Sequence, residues 1–284
     1  MNSLESNAKL HFPSIIGVAN AQLKQIVALI DNYYSEWTTV KKDKETGLPK
    51  TYLDGTIKKR YIRPSLSQLK IIQIRIKTRV LEKIELPDNI HGGRKKRSNI
   101  TNAKKHQGKK YILTTDLQEF YPSIKPSLIY QTFIDLGFNS QFAFYVMRLV
   151  TWKGELPQGT PTSAHIANIV FLKIDYLLIE FCRENNITYT RYVDDLTFSS
   201  QADFQHLIPN ILQTIEDSDF VLSRRKTFYN NKQTVTGIRI FNNKIDAPER
   251  IILETETEKD LPDYFPKYYT RYRDQILKTN QKKK

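Results

Sequence analysis

The stretch TRYVDDLTFSS, Thr190 to Ser200, sets two adjacent aspartates, Asp194 and Asp195, between an aromatic flank and a run of strand-forming residues. It reads as a β-hairpin with the carboxylates at its tip. For one isolated pair a solvated tip is the plain explanation. A third acid changes the reading, because KKYILTTDLQEFYPSI predicts a strand, Tyr111 to Thr115, that ends on Asp116. If these strands are neighbours in one antiparallel sheet, three carboxylates meet at its edge and repel one another in a partly dry site. A divalent cation relieves that repulsion. Oxygen donors with no His or Cys close by point to Mg²⁺. Two such ions about 3.5–4 Å apart serve in-line phosphoryl transfer by activating the attacking hydroxyl and stabilising the leaving oxygen.

Composition favours a polyanionic partner. Lys and Arg number 44 against 30 acids, a formal charge of +14. The excess is concentrated, since His91 to Lys110 holds eight Lys or Arg and no acid. Such a segment faces solvent or a polyanion, and with aromatic residues nearby nucleic acid is the favoured one. No basic amphipathic helix with a clean apolar face stands out, so no membrane partner is expected. With 284 residues, 39% apolar and 26% charged, the chain is long enough for one large or two modest folded domains. The single cysteine, Cys182, excludes an internal disulfide and a Cys-based zinc cluster. It sits in an apolar helical pattern as a core thiol and fits a reducing, cytoplasmic setting. No apolar run approaches about 18 residues and no N-terminal signal is visible, so neither export nor a transmembrane span is expected.

A first helix is predicted over Ala21 to Tyr34, with Leu23, Ile26, Val27 and Ile30 at helical spacing. Residues 38–65 read as two short strands around a polar, Gly-containing loop. The period of residues 65–84 predicts a long helix capped by Ser65 or Ser67. Beyond Asp116, Pro126 suits the first turn of a helix over 126–138. Residues 140–152 form a second helix and 161–184 a third, apolar nearly all round and so central to the core. After the hairpin come a helix near Ala202 to Glu216 and strands around FVLS, KTFYN and TVTGIRI. From Pro248 the chain mixes acids, aromatics and a terminal Lys run, a pattern that predicts no definite element.

In chain order, TTDLQEFYPSI, LPQGTPTSAHIAN, YVDDLTFS and RRKT resemble the A, B, C and D motifs of reverse transcriptases, a likeness that spans Lys41 to Ile240. NAKKH, Asn102 to His106, and VTG, Val235 to Gly237, are similar to two short elements of bacterial retron enzymes. The resemblance implies an α+β fold, a right-hand polymerase built of antiparallel sheet plus helices. Fingers are expected over residues 1–110, a palm with interleaved fingers elements over 111–245, and a reduced C-terminal thumb or tail over 246–284. The thumb is expected to be reduced because LETETEKDLPDYFPKYY is acidic and proline-interrupted, where the family carries a basic helical thumb.

The resemblance also implies roles. Asp116 and Asp194 are the principal ligands of two Mg²⁺ ions, the Leu117 carbonyl is a backbone ligand, and Asp195 is a weaker or outer one. Tyr121, five residues after Asp116, blocks a ribose 2′-hydroxyl by excluded volume, while Phe120 goes to the core. Gln158 and Gly159 lie beneath the nascent base pair, Gly159 letting the backbone approach closely. Arg60 grips triphosphate oxygens with help from Lys41 or Lys42. Lys226 protonates departing pyrophosphate, and Arg224 and Arg225 hold backbone phosphate. Arg94, Lys95, Lys96 and Arg97 meet RNA phosphates. Asn102 and His106 either read and fix RNA or serve as a capping Asn and a structural His. Val235, Thr236 and Gly237 form a primer grip, with Gly237 marking a bulge or a close primer approach.

The implied function is RNA-directed DNA polymerisation. A structured noncoding RNA would provide template and primer, with a guanosine 2′-hydroxyl as priming group. The product would be RNA-linked multicopy single-stranded DNA made from dNTPs, in antiphage defence beside a separate effector protein. Two alternatives stand beside it. One is a defence-associated enzyme outside the true retrons that makes short or repetitive DNA; the other is a nonenzymatic RNA-binding scaffold. Oligomeric state has no signature in the sequence.

Overall fold

The computed structural model describes residues 7–43, 47–52, 54–230, 233–262 and 264–281, and the Lys run at 282–284 lies outside them. The chain divides into two compact units, each discontinuous in sequence: Met1–Leu86 with Glu119–Lys173, and Pro87–Gln118 with Ile174–Lys284. The division therefore cuts across the ranges 1–110 and 111–245.

In the first unit, helix Asn20–Ala28 buries Leu23 and Ile26. It ends earlier than its spacing predicts, because Leu29 leaves helical dihedrals and the chain tightens into a 3-10 turn at Ile30–Tyr33. Strands β1 (Trp37–Val40) and β2 (Lys59–Ile62) pair antiparallel, with Thr39 opposite Arg60. Helix Ser67–Arg79 follows, and neither serine caps it. Leu66 holds the N-cap position, with no side-chain bond. Ser65 instead bridges to Tyr34, and its hydroxyl turns into the core. Helices Pro126–Asp135 and Ser140–Val150 stand where their patterns place them. Asn139 caps the second by accepting from the Phe142 amide. Phe12, Phe133, Phe138 and Phe142 form a buried aromatic core, with Phe138 stacked on Phe142 at 4.5 Å.

The helix predicted over 161–184 is two helices, Ser163–Val170 and Leu172–Glu184. They break at Phe171, which is fully buried with its ring edge-on to Phe120 at 5.9 Å. An all-round apolar pattern carries no mark of such a break, since every phase of the helix looks buried.

The second unit is built on a four-stranded antiparallel sheet of order β4-β5-β3-β6. Its strands are β3 (Tyr111–Asp116), β4 (Thr188–Tyr192), β5 (Asp195–Ser200) and β6 (Phe228–Tyr229). Within FVLS only Leu222 pairs, in an isolated bridge to Leu117. The helix expected from Ala202 starts at Ile208, after a 3-10 turn, with Pro209 in its first turn, where a missing N–H costs nothing.

A second sheet, β7 (Thr234–Val235), β8 (Ile238–Ile240) and β9 (Ile245–Asp246), leads into two helices, Glu249–Thr257 and Tyr268–Lys278. Ile276 of the last helix packs with Ile100, Ile112, Val235, Ile238 and Ile245 in one core cluster. The start of that helix is capped from outside: Glu258 accepts from the Tyr269 and Thr270 amides at 2.9 and 2.7 Å. The C-terminal region is thus folded onto the second unit. Among the described residues, no helix is long and apolar enough to cross a membrane. Cys182 is buried, and burial pushes its thiol up to about 12, so it is a core thiol.

The centre of the four-stranded sheet rests on Phe198, fully buried and stacked on Tyr189 at 4.8 Å. Phe198→Ala is expected to cost about 3–5 kcal/mol, as large-to-small changes in a packed core do. Urea denaturation checks this, and a loss under about 1 kcal/mol would contradict the assigned packing.

Candidate active site

The ladder between β3 and β5 sets Asp116 directly opposite Asp195. On its other side Asp195 pairs with Tyr192 of β4, leaving Val193 and Asp194 as a two-residue loop. The Asp194 carbonyl accepts from the Leu117 amide at 3.0 Å. Two predicted strands distant in sequence therefore share one sheet edge, with Asp116 buried and the other two acids half-buried. Like charges placed directly opposite destabilise a sheet, and Lys226 offsets part of that cost by donating from Nζ to Asp116 Oδ1 at 2.6 Å.

Lys226 arrives on a 3-10 turn, Arg224–Lys226, that is tied back to β3. The Ser223 amide donates to the Asp116 carbonyl at 2.7 Å, and the Thr115 and Thr227 hydroxyls bond at 2.8 Å. All-oxygen donors suit a hard divalent cation. Among the described residues no three His, Cys, Asp or Glu side chains are already grouped as ligands. The backbone register brings the acids together, and the Lys226 ammonium meets Asp116.

Behind the turn lies a buried polar cluster that the sequence reading did not single out. Arg191 and Asp175 are both fully buried. The guanidinium spans both carboxylate oxygens, Nε to Oδ1 at 3.0 Å and Nη2 to Oδ2 at 2.6 Å. The Tyr189 hydroxyl donates to the same carboxylate at 2.7 Å. Burial, then the Asp175 charge, push that phenol well above its ordinary value, so it stays protonated as a donor. The one cue in the sequence was Asp175, an acid set between Ile174 and Tyr176 in a largely apolar helical run.

The predicted nucleotide-contacting residues lie in the first unit. Arg60 is exposed on β2. The Gln158 carbonyl accepts from the Arg63 amide at 2.7 Å, which docks the Gln158–Gly159 loop on the end of β2. Gly159 has φ +109°, and a Cβ there would lie 3.1 Å from Ile62 Cγ2, so both its conformation and its surroundings call for glycine. Tyr121 is half-buried in the short turn Phe120–Ser123 while Phe120 is core. Arg63, which the motifs did not mark, pairs with Glu36 and Glu155.

The basic segment divides by exposure. Lys95 and Lys96 face solvent. Arg94 donates to the Pro87 carbonyl and Arg97 to Asp88, each at 2.7 Å. Asn102 and His106 are fully buried, which corrects the reading in which they touch RNA. His106 clips the hairpin instead, with Nε2 at 2.6 Å from Thr190 Oγ1 on β4 and Nδ1 at 2.7 Å from Ser199 Oγ on β5. Asn102 lies within helix Asn99–Lys105, which Ser98 caps, so Asn102 is not the cap either. Val235 is core. Thr236 and Gly237, with φ +46° and +80°, are the loop of the β7–β8 hairpin, so Gly237 marks a tight turn and not a bulge.

Residues 41–240 match the family model described as "Reverse transcriptase (RNA-dependent DNA polymerase)". The chain belongs to the reverse transcriptase family. Its similarity to the retron Ec86 reverse transcriptase of Escherichia coli is 28% identity over 234 residues, 78% of this chain and 68% of that protein. To the retron Se72 reverse transcriptase of Salmonella heidelberg it is 31% over 191 residues, 67% of this chain and 47% of the other. The chain thus spans about half the length of the second relative. A solved structure of apo telomerase from Candida tropicalis superposes with a TM-score of 0.45 at 10% identity, over 80% of this chain and 59% of that one. Reverse transcriptases use divalent metal ions and copy an RNA template.

The buried His106 gives the reverse transcriptase a measurable acid sensitivity. Burial, followed by His91 and Lys109 nearby, pushes its imidazole down to about 3, so the folded protein keeps it neutral. The unfolded chain protonates below about pH 6.5, and binding more protons than the folded state it gains stability relative to it as pH falls. Folding stability should therefore drop between pH 6.5 and 5 by up to about 1.4 kcal/mol per pH unit from this group. Urea titrations at the two pH values should show that slope reduced in His106→Gln; an unchanged slope would mean the imidazole is not held neutral.

Proposed function

We propose that the protein is an RNA-directed DNA polymerase that copies a structured noncoding RNA partner into RNA-linked single-stranded DNA, in antiphage defence beside a separate effector protein. The observation that supports this most is the pairing of Asp116 with Asp195 beside the Asp194 turn, with Lys226 on the same carboxylate. Its similarity to retron enzymes supports the RNA-linked product. Asp116 and Asp194, with the Leu117 carbonyl, would hold a pair of Mg²⁺ ions, and Asp195 would assist from the outside. When bound, these ions would supply Lewis acidity for the attacking hydroxyl and the departing pyrophosphate.

The remaining work falls to the chain itself. Arg60 takes triphosphate oxygens, Tyr121 excludes a 2′-hydroxyl, and Gln158 and Gly159 support the new base pair. Lys226 delivers a proton to the leaving pyrophosphate. Lys95 and Lys96 meet RNA phosphates by charge, and the Val235–Gly237 hairpin holds the primer.

Asp194→Asn tests the centre of this reading. On a primed RNA template it should abolish dNTP incorporation while leaving RNA binding intact; incorporation equal to that of the unmodified protein would reject the assignment. Sequencing the RNA that copurifies, together with any DNA joined to it, separates the product classes. A 2′-linked DNA on one structured RNA supports the retron reading, whereas free short repeats support a defence enzyme outside it.

A further inference from the structure

The catalytic turn adopts a conformation its own residues disfavour. Val193, the first residue of the two-residue loop, has φ +61°, in the left-handed region that a β-branched side chain avoids. Hairpin loops of this length ordinarily place Gly, Asn or Asp where φ is positive. Something outside the loop must therefore hold it.

Three contacts do so. Arg191 Nη1 donates to the Val193 carbonyl at 3.0 Å. The backbone of residues 89–91 runs alongside, the Arg191 amide donating to the Asn89 carbonyl at 2.9 Å and the His91 amide to the Arg191 carbonyl at 2.8 Å. Gly92 then presses directly on the turn, since a Cβ there would collide with the Val193 amide nitrogen and Cγ2. Of these only Arg191 reaches from the core. Asp175 takes Nε and Nη2, which fixes the guanidinium plane, and a rigid fork so fixed has one direction left for Nη1.

We infer that Arg191 is a positioning residue: braced on Asp175, it holds the Val193 carbonyl and thereby sets where Asp194 stands relative to Asp116. Arg191 is fully buried. It acts through Val193, whose neighbour Asp194 is hydrogen-bonded by its carbonyl to Leu117, next to Asp116. The inference rests on the polymerase reading for its catalytic consequence, and on geometry alone for its effect on the turn.

Arg191→Lys keeps the buried charge but cannot brace on Asp175 and reach Val193 together. With dNTPs on a primed RNA template, kcat should fall about ten- to a hundredfold, the cost of a small misplacement, while KM for dNTP changes little. Val193→Gly added to Arg191→Lys should recover most of that loss, because glycine takes the turn unaided. Tyr189→Phe removes a buried hydrogen bond to Asp175 yet leaves the fork, so it should lower the melting temperature and spare kcat. Should Arg191→Lys not fold, Gly92→Ala displaces the same turn from the other side and should lower kcat alone.

Hydrogen exchange of the peptide Tyr192–Leu196 reads the turn without reference to activity, and Arg191→Lys should raise it. The inference is overturned by a folded Arg191→Lys with unchanged exchange and kcat, by no rescue from Val193→Gly, by a kcat loss in Tyr189→Phe equal to that in Arg191→Lys, or by full kcat in a folded Gly92→Ala. Failure of the polymerase reading has a different signature: no incorporation by the unmodified protein, with the exchange difference still present.

Discussion

Two carboxylates held face to face across a strand pair are the constraint from which the rest of the second unit follows. The β3–β5 ladder places Asp116 opposite Asp195, and nothing in the attraction of the two side chains favours that register. It is specified by apolar burial along the ladder: Ile112 and Leu113 on β3, and Leu196 and Phe198 on β5, are buried. Both faces of β3 and β5 are packed, so a slip of one residue would set each side chain against the packing shaped for its neighbour. Polar pins hold the outer strands to this pair: His106 joins β4 to β5 through two hydroxyls, and Thr115 of β3 meets Thr227 just ahead of β6.

The stability of this edge and its geometry come from different groups. Burying Arg191 with Asp175 is not a strong source of folding energy, because the desolvation of both ions offsets much of their attraction. Removing either partner is another matter, since the other is left charged and dry. What the pair supplies is direction. A planar guanidinium bonded along one edge by a carboxylate keeps Nη1 aimed at the Val193 carbonyl, and an apolar replacement of equal volume could not do that.

Legibility in the sequence followed the range of the interaction. The β4–β5 hairpin was readable because loop and strands are contiguous, and Asp116 because it closes a short apolar strand. Pairing of those two segments is a long-range event that local pattern does not encode, and the motif resemblance supplied it. Asn102 and His106 stayed open between RNA contact and a structural role, since nothing in the local sequence shows that Asn102 is buried or that His106 has hydroxyl partners on distant strands. The last helix was unreadable for a related reason: its cap, Glu258, lies ten residues ahead of its first residue, Tyr268, with two prolines between. Signals for a start normally sit within a few positions of it.

Burial of Asn102 and His106 changes what the basic segment can contribute to RNA recognition under the polymerase reading. Its exposed groups are lysines, Lys95, Lys96, Lys105 and Lys110, compact charges that meet phosphates and carry no base readout. Arg94 and Arg97, the side chains able to grip bases or phosphates as a fork, are already committed to Pro87 and Asp88. Under that reading this face would provide affinity that falls with salt. Discrimination between one structured RNA and another has to arise from shape or from base contacts made elsewhere on the chain.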